Sequence, residues 1–290
     1  MGGSTDAVFL VNTSLYPVNN GGSTFFSYSL KHLEASLPKV LKRQNYTTYA
    51  FENHNKNTWN WANSVKDLGF DFQLGALQDF GIKKMDEKIY FDKIFDVLNG
   101  AKSPFYAHIS TVASHMPYDI DIGGNKFNLP DNIVNKYFEV IHYADKLIAN
   151  FISQLEKSNI LENSIVVIYG DHESLHLFYE DEIHKFYPNE AWMENNLRIP
   201  VIIYSPHIKE RKVDNIGGQI DIYPTIAYLL GIEDDVYYKK SVLGRNLLNT
   251  KRNFAISFYK DEIFGNTGEI GMDTESIYNY SEMIIRNKLR

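Results

Sequence analysis

No cysteine occurs anywhere in the 290 residues. That excludes disulfides, thiolate metal sites and a cysteine nucleophile. Long apolar runs are missing too. Stretches such as 165–169 and 199–204 fall far short of the roughly 20 residues a membrane-spanning helix needs. There is also no strong basic block. The most cationic stretch, His207-Ile208-Lys209-Glu210-Arg211-Lys212, is interrupted by an acid, and 36 acidic against 29 basic side chains leave a formal charge of −7. Such a chain does not wrap a nucleic-acid backbone, so nucleic acid is not an expected partner. What is present is ordinary for a folded protein: 44% hydrophobic and 22% charged residues, in a length that suits one large α/β domain or two small ones.

Apolar clusters alternate in period along the chain. Residues 36–44 read as a helix with Ser36 as N-cap and Pro38 in its first turn. Residues 47–51 form a short β-branched and aromatic run, a strand. A helical stripe follows over 86–98, and 104–112 is a second strand. The clearest helix is 131–157, whose apolar positions from Val134 through Phe138, Ile141 and Ile148 to Leu155 keep a spacing of three or four. The continuous apolar run 164–169 predicts a central strand buried on both faces. Residues 198–205 read as another strand, and 221–231 as a helix closed by Gly231. From Arg252 onward short aromatic runs broken by glycines predict a small antiparallel appendage. The alternation specifies an α/β fold, a mostly parallel central sheet with helices on both faces, whose site lies beyond the carboxyl ends of the strands.

Four places at such ends carry chemistry. The run 165–169 ends in Gly170 and delivers Asp171 and His172 side by side. A carboxylate with an imidazole suits a divalent metal, the alternative being that Asp171 caps a turn and His172 is a surface residue. At the start, Gly2-Gly3-Ser4-Thr5-Asp6-Ala7-Val8-Phe9 opens a helix. A hydroxyl there sits among converging N–H groups, a place for a phosphoryl group and for its nucleophile, or else it is a plain N-cap. In the loop after the second strand, His115 precedes Met116-Pro117 and is placed to donate to an oxyanion or a phosphate; His108, within the strand, reads as a satisfied core histidine. Finally Glu52-Asn53-His54-Asn55-Lys56-Asn57-Thr58-Trp59-Asn60-Trp61 combines polar groups with two tryptophans. It forms a pocket for a polar head group, or a solvated loop with aromatic anchors.

The order of these pieces resembles the lipoteichoic acid synthase group of the sulfatase and alkaline phosphatase superfamily. The likeness runs through Ser14-Leu15-Tyr16, Ser36-Leu37-Pro38, Trp59-Asn60, Leu68-Gly69-Phe70-Asp71, Ser103-Pro104-Phe105-Tyr106, His115-x-Pro117, Tyr169-Gly170-Asp171-His172 and Gly218-Gln219-Ile220-Asp221-x-x-Pro224-Thr225. It implies a transferase that moves phosphoglycerol or a related phosphoryl head group from a lipid-linked donor to a hydroxyl acceptor, a polymer or a glycolipid. It also implies the outer face of the cell membrane and one metal site, with Mn²⁺ (or Mg²⁺ or Zn²⁺).

Carried over by position, Ser4 stands where the group has its nucleophilic threonine, with Thr5 beside it as a second candidate. Asp171 and His172 match two metal ligands, completed by Ser4, and His115 matches a substrate-contacting histidine. Glu52, His54, Trp59 and Trp61 occupy a head-group loop in which the group commonly has His, Asp, Trp and Arg. The group's remaining ligand, a glutamate on an earlier strand, and its membrane helices have no counterpart here. The expected layout is therefore a catalytic domain over 1–250 lacking its first strand, and a β-rich extension over 251–290. Two rivals stay open: an inactive remnant or head-group-binding module, and a sulfuric or phosphoric ester hydrolase. A formylglycine sulfatase would need Cys- or Ser-x-Pro-x-Arg, and Ser36-Leu37-Pro38-Lys39-Val40 lacks the arginine.

Overall fold

The elements follow in the order α1 (Ser4–Thr13), α2 (Thr24–Ser27), α3 (Leu37–Arg43), β1 (Thr47–Glu52), α4 (Trp61–Asp67), β2 (Phe72–Gly75), α5 (Glu87–Asn99), β3 (Phe105–Ile109), α6 (Ile133–Lys157), β4 (Val166–Tyr169), α7 (Leu175–Phe186), β5 (Val201–Tyr204), α8 (Ile222–Leu230), α9 (Tyr238–Ser241), β6 (Phe254–Ser257), β7 (Glu262–Gly265) and α10 (Thr274–Ile285). The structure is a computed structural model and describes residues 3–18, 24–84, 86–120, 122–123, 126–173, 175–188, 198–258, 262–266, 268 and 273–287.

Strands β2, β1 and β3 form a parallel sheet in that order, with Tyr49 opposite Phe72 on one side and Ala107 on the other. Alternation along β1 divides the core. Tyr49 and Phe51 face α5 and α6 in a cluster with Tyr90, Ile94, Leu147 and Phe151, whereas Ala50 joins Val8 and Phe9 of α1 and Val65 of α4. Helices thus cover both faces, as the strand–helix alternation implies.

The long helices begin where side-chain caps allow. Asp86 accepts from the Ile89 amide at 3.0 Å and starts α5; Asn132 accepts from Asn135 at 2.9 Å and starts α6. Ser36 stands at the cap position of α3, yet its hydroxyl donates to the Leu68 carbonyl at 2.7 Å instead. Gly231 closes α8 at φ 67°. Ile141 leaves the apolar stripe of α6 and is exposed.

Strand β4 departs from the expectation of a central strand. It pairs antiparallel with β5 (Val166 opposite Tyr204, Tyr169 opposite Val201), and all four of its residues are only half-buried. Apolar composition without alternation marks a strand that other groups cover, and among the described residues that cover is incomplete. The segment after Arg252 contains the antiparallel hairpin β6–β7, as read from the sequence, and also the helix α10. Asp273 caps it by accepting from Ser276 at 2.7 Å, and Tyr278 and Ile285 bury its inner face.

Candidate functional site

The turn after β4 and the start of α1 meet. Ser4 is the first residue of α1, and Gly3, in extended conformation, holds the N-cap position without a side chain. Ser4 therefore does not cap the helix. Its Oγ donates to Asp171 Oδ2 at 2.5 Å, across 167 positions of sequence. Asp171 Oδ1 accepts from the His172 amide at 3.0 Å.

The His172 ring is oriented by its neighbour. Its Nδ1–H donates to the Glu173 carbonyl at 2.6 Å, and Nε2 lies 3.5 Å from Asp171 Oδ2. In the neutral ring Nε2 has only a lone pair to offer, so two acceptors face each other beside a hydroxyl oxygen. A histidine whose far nitrogen is fixed by a carbonyl is the usual arrangement of a metal ligand. The donors fit a hard or borderline divalent cation, with Ser4, Asp171 and His172 as the residues that can hold it. Among the described residues no group of three or more His, Cys, Asp or Glu is placed to hold a metal.

The turn that carries Asp171 is held from a distance. Gln219 Nε2 donates to the carbonyls of Gly170 at 3.0 Å and Asp171 at 2.6 Å. Gln219 in turn sits on a rigid corner. The fully buried Asp221 accepts from the amides of Gly218 (2.9 Å) and Arg245 (2.8 Å) and lies 3.5 Å from the Arg245 guanidinium. Residues 218–221 belong to a motif quoted above, but nothing in the sequence says that an amide there reaches a turn 48 positions away.

His115 is exposed. Its Nδ1–H donates to the Met116 carbonyl at 2.5 Å, and it makes no hydrogen bond to Ser4, Asp171 or His172. The loop before it is pinned by Glu87 at the start of α5, which accepts from the amides of Val112 (2.6 Å) and Ala113 (2.8 Å). His108 is buried, but only one of its nitrogens is satisfied. Nε2 meets the Tyr169 hydroxyl at 2.9 Å while Nδ1 has no partner, and burial pushes its pKa down to about 4.

The segment after β1 comes apart into wall and core. Glu52 ends the strand, half-buried, and burial pushes its pKa up to about 7. Among the described residues its carboxylate has no hydrogen bond and no ion pair. His54 is exposed. Lys56 is occupied by Asp79 at 2.7 Å and the Gln73 carbonyl at 3.0 Å. Trp59, at φ 57°, stands out into solvent with its ring edge-on to Phe26. Trp61 is 2% exposed and packs in the core with Val65 and Leu68, so the two tryptophans do not share a pocket wall. The physical reason is local: left-handed backbone at Trp59 and Asn60 turns the chain between them.

Comparison with known proteins gives the family. The sulfatase family model matches residues 2–232. The chain belongs to the sulfatase family. It is similar to lipoteichoic acid synthase 2 of Bacillus subtilis, at 30% identity over 89% of this chain and 41% of the relative. A lipoteichoic acid synthase-like protein of the same organism, YvgJ, is 28% identical over 97% of this chain and 49% of its own. The sequence thus spans under half the length of these relatives. Among solved structures, the lipoteichoic acid synthase LtaP from Listeria monocytogenes superposes with a TM-score of 0.81 at 26% identity, covering 98% of this chain and 80% of that one. The Streptococcus pyogenes phosphoglycerol transferase GacH, in complex with sn-glycerol-1-phosphate, shares the fold at a TM-score of 0.61 and 17% identity, over 99% of this chain and 73% of its own. This is a lipoteichoic acid synthase-like member of the family, with an alkaline phosphatase/sulfatase-type fold.

In this sulfatase-family domain, Asp171 and His172 also line one end of a cleft of about 1980 Å³. It runs along β5 and residues 208–218 to the β6–β7 hairpin, with Val201, Ile202, Tyr204 and Phe264 among its walls. No described helix is long and apolar enough to cross a membrane.

Proposed function

We propose that this chain is the catalytic part of a metal-dependent transferase that moves a phosphoryl head group from a lipid-linked donor to the hydroxyl of a polymer or glycolipid, with Ser4 as nucleophile. The single observation that carries this reading is the contact between Ser4 and Asp171. An alcohol and a metal-ligand type of carboxylate, 167 positions apart in the sequence, share one proton at the start of a helix. Names of the similar proteins support the substrate class, and in this reading the reaction takes place at the outer face of the cell membrane.

A bound divalent cation, Mn²⁺ in this reading, would be held by Asp171, His172 and Ser4 and would supply Lewis acidity that lowers the pKa of the alcohol. The rest falls to the chain itself. Ser4 Oγ attacks phosphorus and a phosphoserine ester forms as the bond from phosphorus to the lipid alcohol breaks; the proton lost by Ser4 ends on the departing lipid oxygen, which leaves as diacylglycerol. The N-terminal end of the α1 dipole faces the phosphoryl oxygens. His115, its Nδ1 already tied, has Nε2 for the substrate; Trp59, His54 and Glu52 lie on the head-group side. Attack by the acceptor hydroxyl then restores Ser4.

Diacylglycerol release from a labelled phospholipid, measured with added Mn²⁺, tests the assignment. Ser4→Ala is expected to lower it by roughly a hundredfold or more, and Thr5→Ala by no more than about threefold. Turnover that survives Ser4→Ala overturns the nucleophile. That no group of three acidic or imidazole side chains is placed for a metal among the described residues favours one second reading, a head-group-binding module. Stoichiometric head-group binding without turnover or bound manganese would select it.

A further inference from the structure

The face of the sheet on which Glu52 lies, and its height, follow from register. Thr48 pairs with Tyr106 and Ala50 with His108, so the next pair on that face is Glu52 with Ser110. This is the face under α1, because the Tyr106 hydroxyl donates to Asn12 Oδ1 at 2.9 Å. From Asn12 back to Ser4 the helix climbs about 12 Å. From Tyr106 on to Ser110 the strand direction advances about 13 Å. Ser4 and Glu52 therefore stand level at the carboxyl end of the sheet, on one face, with the tip of β3 between β1 and the Asp171 turn.

The segment from Glu52 to Trp61 carries an acid and an exposed aromatic ring. Among the described residues the Glu52 carboxylate makes no hydrogen bond or ion pair, and its charge acts on the buried Tyr90 hydroxyl. The loop's one lysine, Lys56, is bound to Asp79, and Trp61 is packed in the core. A carboxylate only accepts hydrogen bonds, and it pairs best with a charged donor. Aromatic rings such as the exposed pair Trp59 and Phe26 attract ammonium groups. Residues 52–61 contain no arginine, the side chain that best clamps a second anion.

We propose that Glu52 makes this site selective for a phosphodiester whose head group carries a primary ammonium, of the phosphoethanolamine type, over one ending in uncharged glycerol. The inference rests on the reading that phosphoryl transfer occurs at Ser4, and it specifies the head group that such a site takes.

The test is a binding titration of the full chain, with and without Mn²⁺, using glycerophosphoethanolamine and glycerophosphoglycerol. The wild type is expected to prefer the amine by about tenfold. Glu52→Gln, nearly isosteric, should bring the two within about twofold, and Glu52→Asp should recover part of the difference. Vesicles of phosphatidylethanolamine against phosphatidylglycerol, added to phosphatidylcholine, decide whether the ammonium is read on a lipid or on the free diester; a preference on either supports the proposal. Equal or tighter binding of the glycerol compound, a preference that persists in Glu52→Gln, or binding of neither overturns it. Because this reads affinity, it can fail while Ser4-dependent turnover stands, and the converse.

Discussion

Glu52 and His108 titrate in the same range with opposite consequences for stability. Burial lowers His108 from 6.5 to about 4. Between those values the unfolded chain binds a proton that the folded chain refuses, so stability falls as pH drops through the window and is fully present above it. Burial raises Glu52 from 4.5 to about 7. There the folded chain holds the extra proton, so its contribution is fully present below 4.5 and is lost as pH rises to 7. Each spans about 3 kcal/mol at roughly 1.4 kcal/mol per pH unit. From about 4.5 to 6.5 the two slopes cancel. His108→Gln should uncover a decline of urea midpoint between pH 4.5 and 7, and Glu52→Gln a rise between pH 4 and 6.5. Midpoints that keep the wild-type profile in both variants would contradict this account.

At the scale of elements, the site depends on two supports. Glu87 ties α5 to the loop before His115 through two amide hydrogen bonds. Glu87→Ala is expected to cost about 2–3 kcal/mol, seen in thermal unfolding, and to speed amide exchange at Val112 and Ala113. Gln219 holds the Asp171 turn, so Gln219→Ala should weaken Mn²⁺ affinity by roughly tenfold with little change in melting temperature, read by electron paramagnetic resonance.

Much of this level could be read from sequence. The caps Asp86 and Asn132, the stripe of α6 and the β-branched run of β1 are local signals, and local signals decide local structure. Ser36 misled because its hydroxyl had a better acceptor in Leu68. The juxtaposition of Ser4 with Asp171 became visible only through likeness to a family, since no periodicity encodes a contact over 167 positions. Gln219 gave no sign of its task. Trp61 looked like part of a pocket because composition does not reveal the left-handed turn before it.

For the whole molecule, the exposed strand is the largest departure from a self-sufficient core. Ile202 is 54% exposed, and Val201 and Tyr204 are also bare, along a cleft with apolar walls. A run reading Val-Ile-Ile-Tyr was legible as a strand but not as an edge, because burial depends on neighbours that hydropathy cannot name. Exposed flat apolar edges recruit other strands. Ile202→Lys should reduce self-association of the purified chain, measured by sedimentation velocity, while leaving its unfolding midpoint within about 0.5 kcal/mol.

The proton shared by Ser4 and Asp171 has a practical corollary. A reagent that caps serine alcohols, such as a fluorophosphonate, would have to pull that hydrogen away from a carboxylate already gripping it. A loaded cation would displace the carboxylate from the alcohol and leave it open to attack. Labelling speed with and without manganese thus becomes a direct gauge of who holds the hydroxyl, obtained without any lipid at all.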